Sequence, residues 1–365
     1  MRGVSRMNKD NDRVLKLQEV ISEKNLDAIL VFGSANRRYL SGFAGSTGYA
    51  VITKDQNDFL VDFRYWEQAA QQCPGWNIVK ITGETDVFQY LKNHQVKKLG
   101  LEKNCVTLRF SELLEKECGI MKTEGIDDVL TKLRMVKNED EIRRIKRACE
   151  ITDLAFEHVL TKIHEGMTEV EIDCILQGYM KAYPEVDGMA PRFIVASGEH
   201  GALPHGIAGE RRIQKGELIT MDFGCNCLGY WSDITRTVCL GKANEKQKEI
   251  YHITLEAQEA AISAVRAGKT GKEIDTVARD VITAAGYGDY FGHGLGHSFG
   301  LEIHEPPRCS QTLACDIPLE EGMIMTIEPG IYIPGFGGVR IEDDIIVTKD
   351  GCINLTKAAK ELIEL

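Results

Sequence analysis

Apolar positions change period along the chain. Up to about residue 125, short apolar runs at Ala28 to Phe32, Tyr49 to Thr53, Phe59 to Val61, Asn77 to Ile81 and Lys98 to Glu102 predict strands. Between them the period lengthens. Val14, Leu17, Val20 and Ile21 fall at helical spacing before the first strand, and Tyr65 to Gln72 and Asp86 to Asn93 predict two further helices. This alternation reads as an α/β domain. From Asn138 a long charged amphipathic segment begins, with Asn138 and Glu141 spaced as a helix cap and its reciprocal acid. The domain boundary is therefore expected near residue 130, dividing the chain into 1–130 and 131–365.

The second part repeats itself. Glu165-Gly-Met-Thr-Glu-Val-Glu-Ile-Asp173 returns as Ala267-Gly-Lys-Thr-Gly-Lys-Glu-Ile-Asp275, with Thr168/Glu171 and Thr270/Glu273 as capping boxes, each after a glycine that could close the preceding helix. Further on, Ile213 to Gly224 matches Leu319 to Gly330 and aligns Asp222 with Glu328. Two matches in the same order predict two related halves, each of helices followed by antiparallel strands, with a site at their junction. The expected fold is an α/β N-terminal domain followed by an α+β domain with a pseudo-twofold internal repeat.

Length and composition narrow the class. At roughly 150 residues per domain, 365 residues suit two domains, and 43% hydrophobic with 27% charged residues is ordinary globular composition. No apolar run approaches the ~18 residues of a membrane span, and Met1 to Asp12 lacks an apolar signal core, so a cytoplasmic chain is expected. The 11 cysteines, odd in number and scattered, are expected to be reduced. A net charge of −11 repels phosphate backbones and anionic lipid, which argues against nucleic-acid and membrane partners. Arg143, Arg144, Lys146 and Arg147 adjoin Glu139, Asp140 and Glu141 and read as a solvated helix face.

The candidate chemistry lies in acids and histidines. Asp222 and Asp233 flank one turn, Asn226 to Gly229; Glu328 and Glu342 flank another, Pro334 to Gly338; each pair is expected to stand nearly opposite across a hairpin. Leu218, Ile219 and Met221 precede the first acid, and Met323, Ile324, Met325 and Ile327 precede its counterpart, so the acids should be partly buried. Four such carboxylates would repel one another and resist desolvation unless cations or protons accompany them. A competing reading has Arg236 and Arg340 neutralise some of them. Phe291 to Glu305 then packs three of the nine histidines, His293, His297 and His304, into twelve residues among glycines. Imidazole beside carboxylate suits Mn²⁺, Co²⁺ or Zn²⁺. One histidine with four carboxylates carries four negative charges, which two divalent ions balance. His94, His158, His164, His200 and His252 read as ordinary satisfied polar residues, Cys225 and Cys227 as thiols without a metal role, and Pro334 to Gly338 as a tight turn lacking a phosphate-binding Lys-Ser/Thr.

These residues resemble a known family, the proline-specific metallopeptidases of the pita-bread fold, aminopeptidase P and prolidase. The resemblance rests on Met221-Asp-Phe-Gly224, Ser232-Asp-Ile-Thr-Arg-Thr237, the His293 to Glu305 run, Glu328-Pro-Gly-Ile-Tyr332 and Val339-Arg-Ile-Glu342, and less strongly on Tyr39 to Phe43 and Asp62 to Ala69. Phe299 departs from the family's usual aliphatic residue, and Cys225 and Cys227 lie between the two aspartates. The resemblance implies that Asp222, Asp233, His297, Glu328 and Glu342 bind two metal ions, with Mn²⁺ first and Co²⁺ or Zn²⁺ as alternatives. It implies that His205, His293, His304 and Arg340 line the substrate site. Glu328 would take the proton of the attacking water, His304 would stabilise the developing oxyanion, and His293 would orient the peptide. The implied activity is release of the residue before proline from peptides with proline in second position, by a homodimer; the alternative is a dipeptidase restricted to Xaa-Pro. The fold also serves methionine aminopeptidases, a metal-free creatine hydrolase and non-catalytic peptide-binding modules. The extra N-terminal domain and the full ligand set separate this chain from these.

Overall fold

The computed structural model describes residues 2–312 and 316–365, with side chains from Asp12 onward. It divides into two compact units, Met1–Arg134 and Met135–Leu365. The N-terminal unit is built on one mixed six-stranded sheet. Its central strand Ala28–Val31 runs antiparallel to Tyr49–Ile52 and parallel to Leu99–Leu101. All four residues of the central strand are buried. A strand covered on both faces must be apolar throughout, which is why this run shows no alternation. Asn57–Val61 and Asn77–Lys80 extend one edge, and Thr123–Gly125 closes the other. That last strand, Thr-Glu-Gly, carries no apolar signal and was not anticipated. Nor was the helix Ser34–Ser41, which buries Arg37 to satisfy the carbonyls of Phe32 and Gly45.

The C-terminal unit keeps the internal repeat in three dimensions. Helices Glu139–Leu160 and Glu169–Lys181 pack with strands Ile194–Ser197, Leu218–Phe223 and Ile234–Cys239 around one apolar core. Helices Glu245–Ala264 and Gly271–Ala284 do the same with Ile324–Ile327 and Asp343–Val347 around a second. The capping boxes at Asn138, Thr168 and Thr270 all form. One expectation is corrected: Gly166 and Gly268 do not close the preceding helices, which end at Leu160 and Ala264. Both glycines instead take positive φ, 86° and 87°, in the turns that lead into the next cap.

The basic run lies along the first helix of this unit, where Arg144 meets Asp140 at 2.7 Å and Arg147 meets Glu185 at 3.2 Å. No disulfide forms among the ten described cysteines, of which Cys225 and Cys227 are buried; Cys315 lies outside the described residues. No described helix is long and apolar enough to cross a membrane.

Candidate metal centre

Strand register brings acids from both halves together. Leu218–Phe223 pairs with Ile234–Cys239 so that Asp222 faces Thr235, and Ile324–Ile327 pairs with Asp343–Val347 so that Ile327 faces Asp343. Continuing the second register by one step sets Glu328 against Glu342, as expected. The first pair differs: the register runs unbroken into an inner hairpin, Asn226–Cys227 with Tyr230–Trp231, whose turn at Leu228 and Gly229 lies six residues beyond Asp222 but only four before Asp233, so Asp233 falls two residues short of Asp222's partner. Thr235 thus occupies the position in the first half that Glu342 holds in the second. The two positions touch, with Thr235 Oγ1 donating to Glu342 Oε2 at 2.7 Å and the Glu342 N–H donating to the Thr235 carbonyl at 3.1 Å.

The imidazole arrives from a separate hairpin. Gly296 lets strand Gly296–Ser298 lie against Ile324–Ile327, since a Cβ there would sit 2.1 Å from the Thr326 carbonyl oxygen. His297 consequently projects among the acids. Its Nε2 is 3.5 Å from Glu328 Oε1 and 3.7 Å from Asp233 Oδ2. Asp233, His297 and Glu342 each offer a donor atom within 4.8 Å of the others. Asp222 lies close enough to raise the pKa of Asp233, Glu328 and Glu342 by repulsion.

This donor set fits divalent ions. His297 Nδ1 lies 3.1 Å from the Ser298 carbonyl, which can only accept, so Nδ1 carries the proton and Nε2 presents its lone pair to the acids. Separations of 3.5 and 3.7 Å exceed a hydrogen bond; donors bound to one ion at about 2.1 Å stand roughly 3.0–3.5 Å apart. Burial pushes Glu328 up to about 8, with Arg340 opposing and Asp222 reinforcing the shift. Burial and then neighbouring acids hold Asp233 and Glu342 well above the usual carboxylate range. Burial, with His304 beside it, lowers His297 to about 3. Protons thus stand in for cations when no metal is bound.

A stability prediction follows from those signs. Glu328 titrates near 8 when folded and near its ordinary 4.5 when unfolded, so its contribution is present below 4.5 and is lost as pH rises through 8. His297, depressed from 6.5 to about 3, acts oppositely, but only below 6.5. Between pH 6.5 and 8 the chelated protein should therefore lose about 1.4 kcal/mol per pH unit for each carboxyl still protonated. Melting curves with and without chelator over that window test this. A chelated protein that gains stability there would contradict it.

The remaining candidates surround these five. Arg340, 3% exposed, donates from Nη2 to Asp222 Oδ2 at 2.6 Å and from Nη1 to the Tyr332 hydroxyl at 2.8 Å and the Pro204 carbonyl at 3.2 Å. Tyr332 in turn meets His293 Nε2 at 2.9 Å, and His293 Nδ1 meets the Gly294 carbonyl at 2.8 Å. Since Nδ1 must donate to that carbonyl, Nε2 accepts from the tyrosine. Burial lowers His293 to about 4, keeping it neutral. The exposed His304 ring lies 4.3 Å from that of His297. His205, also exposed, is near enough to disfavour protonation of both His293 and His304. Arg340 does neutralise an acid of the group, whereas Arg236 pairs with Asp343, outside it. His200 is bonded to the fully buried Glu169 at 2.9 Å, the satisfied polar role expected of it. Sequence reasoning overlooked Tyr332, Thr235 and Asp344. Asp344 accepts from the Asp233 N–H at 3.0 Å and from the Cys149 thiol at 3.2 Å. Tyr332 and Thr235 did lie within the quoted motifs, and that is the signal that could have found them.

Comparison with known proteins follows the same division. Residues 143–349 match the model of metallopeptidase family M24, and residues 13–136 match that of the creatinase/prolidase N-terminal domain. An Xaa-Pro dipeptidase of Pyrococcus horikoshii is 42% identical over 358 residues, covering 97% of this chain and 99% of that one. The solved Xaa-Pro dipeptidase from Bacillus anthracis is 42% identical with a TM-score of 0.93, covering 98% of this chain and all of that one (100%). The X-Pro aminopeptidase structure from Thermotoga maritima is 38% identical with a TM-score of 0.89, covering 96% of this chain and 99% of that one.

Proposed function

The chain belongs to metallopeptidase family M24, and from that premise we propose that it hydrolyses the peptide bond before proline, with Xaa-Pro dipeptides as its preferred substrates. The observation that supports the chemistry most directly is the convergence of three carboxylates, Asp233, Glu328 and Glu342, on the bare Nε2 of His297, with Asp222 beside those acids. Asp222, Asp233, His297, Glu328 and Glu342 would hold two divalent ions, with Mn²⁺ suited to this oxygen-rich set. Bound there, the ions would balance the acids, lower the pKa of a water toward neutrality and polarise the substrate carbonyl.

The chain's own residues do the rest. Glu328 accepts the proton of the attacking water, a task suited to a carboxylate held 3.5 Å from His297 Nε2 at the heart of the group. His304, at the open side of the group, donates a hydrogen bond to the oxygen on which charge develops. His293 and Arg340, tied together through Tyr332, orient the peptide, and His205 stands at the same face. The bond before proline is a tertiary amide without an N–H, so recognition must use ring shape and the peptide's charged ends.

The preference for dipeptides draws on the relatives named Xaa-Pro dipeptidase at 42% identity. Cleavage of longer peptides is the second reading, favoured by the likeness to the Thermotoga enzyme. Purified protein with Mn²⁺ should cleave an Xaa-Pro dipeptide at least about tenfold faster than an Xaa-Pro-Yaa tripeptide, a difference of about 1.4 kcal/mol in barrier. Faster cleavage of the tripeptide would move the assignment to an aminopeptidase. Failure on both, with Mn²⁺, Co²⁺ and Zn²⁺ each tried, would refute the proposal.

A further inference from the structure

The two halves of the repeat carry the same buried aspartate at corresponding places, Asp173 in helix Glu169–Lys181 and Asp275 in helix Gly271–Ala284. Each accepts the backbone N–H that begins the following segment, from Phe193 at 3.1 Å and from Leu295 at 2.9 Å. One helical turn later, a side chain reaches both back to that aspartate and across to the incoming backbone. In the first half it is Gln177, whose amide nitrogen lies 2.8 Å from Asp173 and 3.3 Å from the Pro191 carbonyl. In the second half it is Arg279. Its Nε and Nη2 hold Asp275 at 2.8 and 2.9 Å, while Nη1 and Nη2 reach the carbonyls of Phe291 and His293, both at 2.8 Å. By the repeat, Pro191 and His293 occupy equivalent positions. The helix–strand joint is the same, but a single amide has become a rigid fork of donors.

The stronger clamp sits where the chain has least conformational preference of its own. His293 lies between Gly292 and Gly294, and glycines give up the most freedom on ordering. Its ring is held from one side by Tyr332, and its backbone carbonyl from the other by Arg279, whose guanidinium also lies over the Phe291 ring at 4.3 Å. Asp275 aims the fork: it is fully buried and also receives Gln311 Nε2 at 2.6 Å. We propose that Arg279, aimed by Asp275, is a positioning residue that sets the orientation of His293 without itself touching substrate. This rests on the reading of His293 as a residue that orients the peptide.

Arg279→Gln restores the arrangement that the first half already tolerates around Asp173, so the fold should survive it. Arg279→Lys keeps the charge beside Asp275 but loses the fork. In histidine-labelled protein, the His293 imidazole NMR signal, identified by its loss in His293→Ala, should broaden or split in both variants while that of the remote His252 stays put. The KM for an Xaa-Pro dipeptide should rise about tenfold or more, with metal content unchanged. A merely structural role would lower stability and leave both the His293 signal and KM in place, and that result overturns the proposal. Should Arg279→Gln unfold, Arg279→Lys decides by the same two readouts. If the wild-type protein does not cleave the dipeptide, the substrate reading fails, while the His293 signal still decides the role of Arg279.

Discussion

Replacing Glu328 with alanine should lower kcat/KM by at least about 10³ and weaken metal loading, the combined effect of losing an anionic ligand and the proton acceptor. The residue is rigidly placed. Its N–H donates to the Leu295 carbonyl at 2.8 Å, and Thr326 Oγ1 donates to its Oε1 at 3.2 Å, fixing the carboxylate 3.5 Å from His297 Nε2. Of the remaining acids, Asp222 is bonded to Arg340, Glu342 to Thr235, and Asp233 keeps its own place 3.7 Å from His297 Nε2. Steady-state kinetics combined with metal analysis after dialysis measure both losses. A fully active, fully loaded Glu328→Ala protein would refute the assignment. His304→Ala is the contrasting variant, expected to lower kcat with metals retained because its exposed ring stands beside the acids rather than among them. Loss of metal from that variant would make His304 a ligand instead.

Removing Arg236 should be the most damaging single change to stability, costing about 3–5 kcal/mol, the range for one partner taken from a buried ion pair. The guanidinium is 1% exposed and donates to the carbonyls of Thr235, Glu342, Ala358 and Ala359 as well as to Asp343 Oδ1 at 2.7 Å. Burial alone would raise Asp343, but Arg236 and Lys360 outweigh it and hold the carboxyl below its ordinary range. Arg236→Ala would leave that buried charge with Lys360, at 3.0 Å, as its cationic partner and the Asn354 amide, at 2.6 Å, as a neutral donor. It would also release the Glu342 carbonyl, and with it one wall of the acidic group. Thermal unfolding should show a fall of roughly 10 °C for a unit of this size. Wild-type stability in this variant would mean that the pair contributes no more than it costs to desolvate.

Arg236 and Arg340 show where sequence reasoning stops. Arg236 stands three residues from Asp233 and Arg340 two from Glu342, in motifs of similar texture, and nothing local tells which of them meets an acid of the centre. The sheet register decides: Arg340 points toward Asp222, and Arg236 turns the other way to Asp343. The same holds for Asp222, whose opposite residue is Thr235 because the turn at Leu228 and Gly229 lies closer along the chain to Asp233 than to Asp222.

Local chemistry along the chain was enough for the apolar strands, the three capping boxes, the internal repeat, and the spacing of acids and histidines that marks a metallopeptidase. Each depends on residues a few positions apart, where side-chain type and backbone preference act directly. Which of those groups meet depends on how the folded chain pairs its strands and packs its core. Partnership between Thr235 and Glu342, Tyr332 and His293, or Arg279 and the His293 carbonyl joins segments brought near by strand pairing and core packing, and a shift of one residue in strand register would turn Thr235 and Tyr332 to the opposite face.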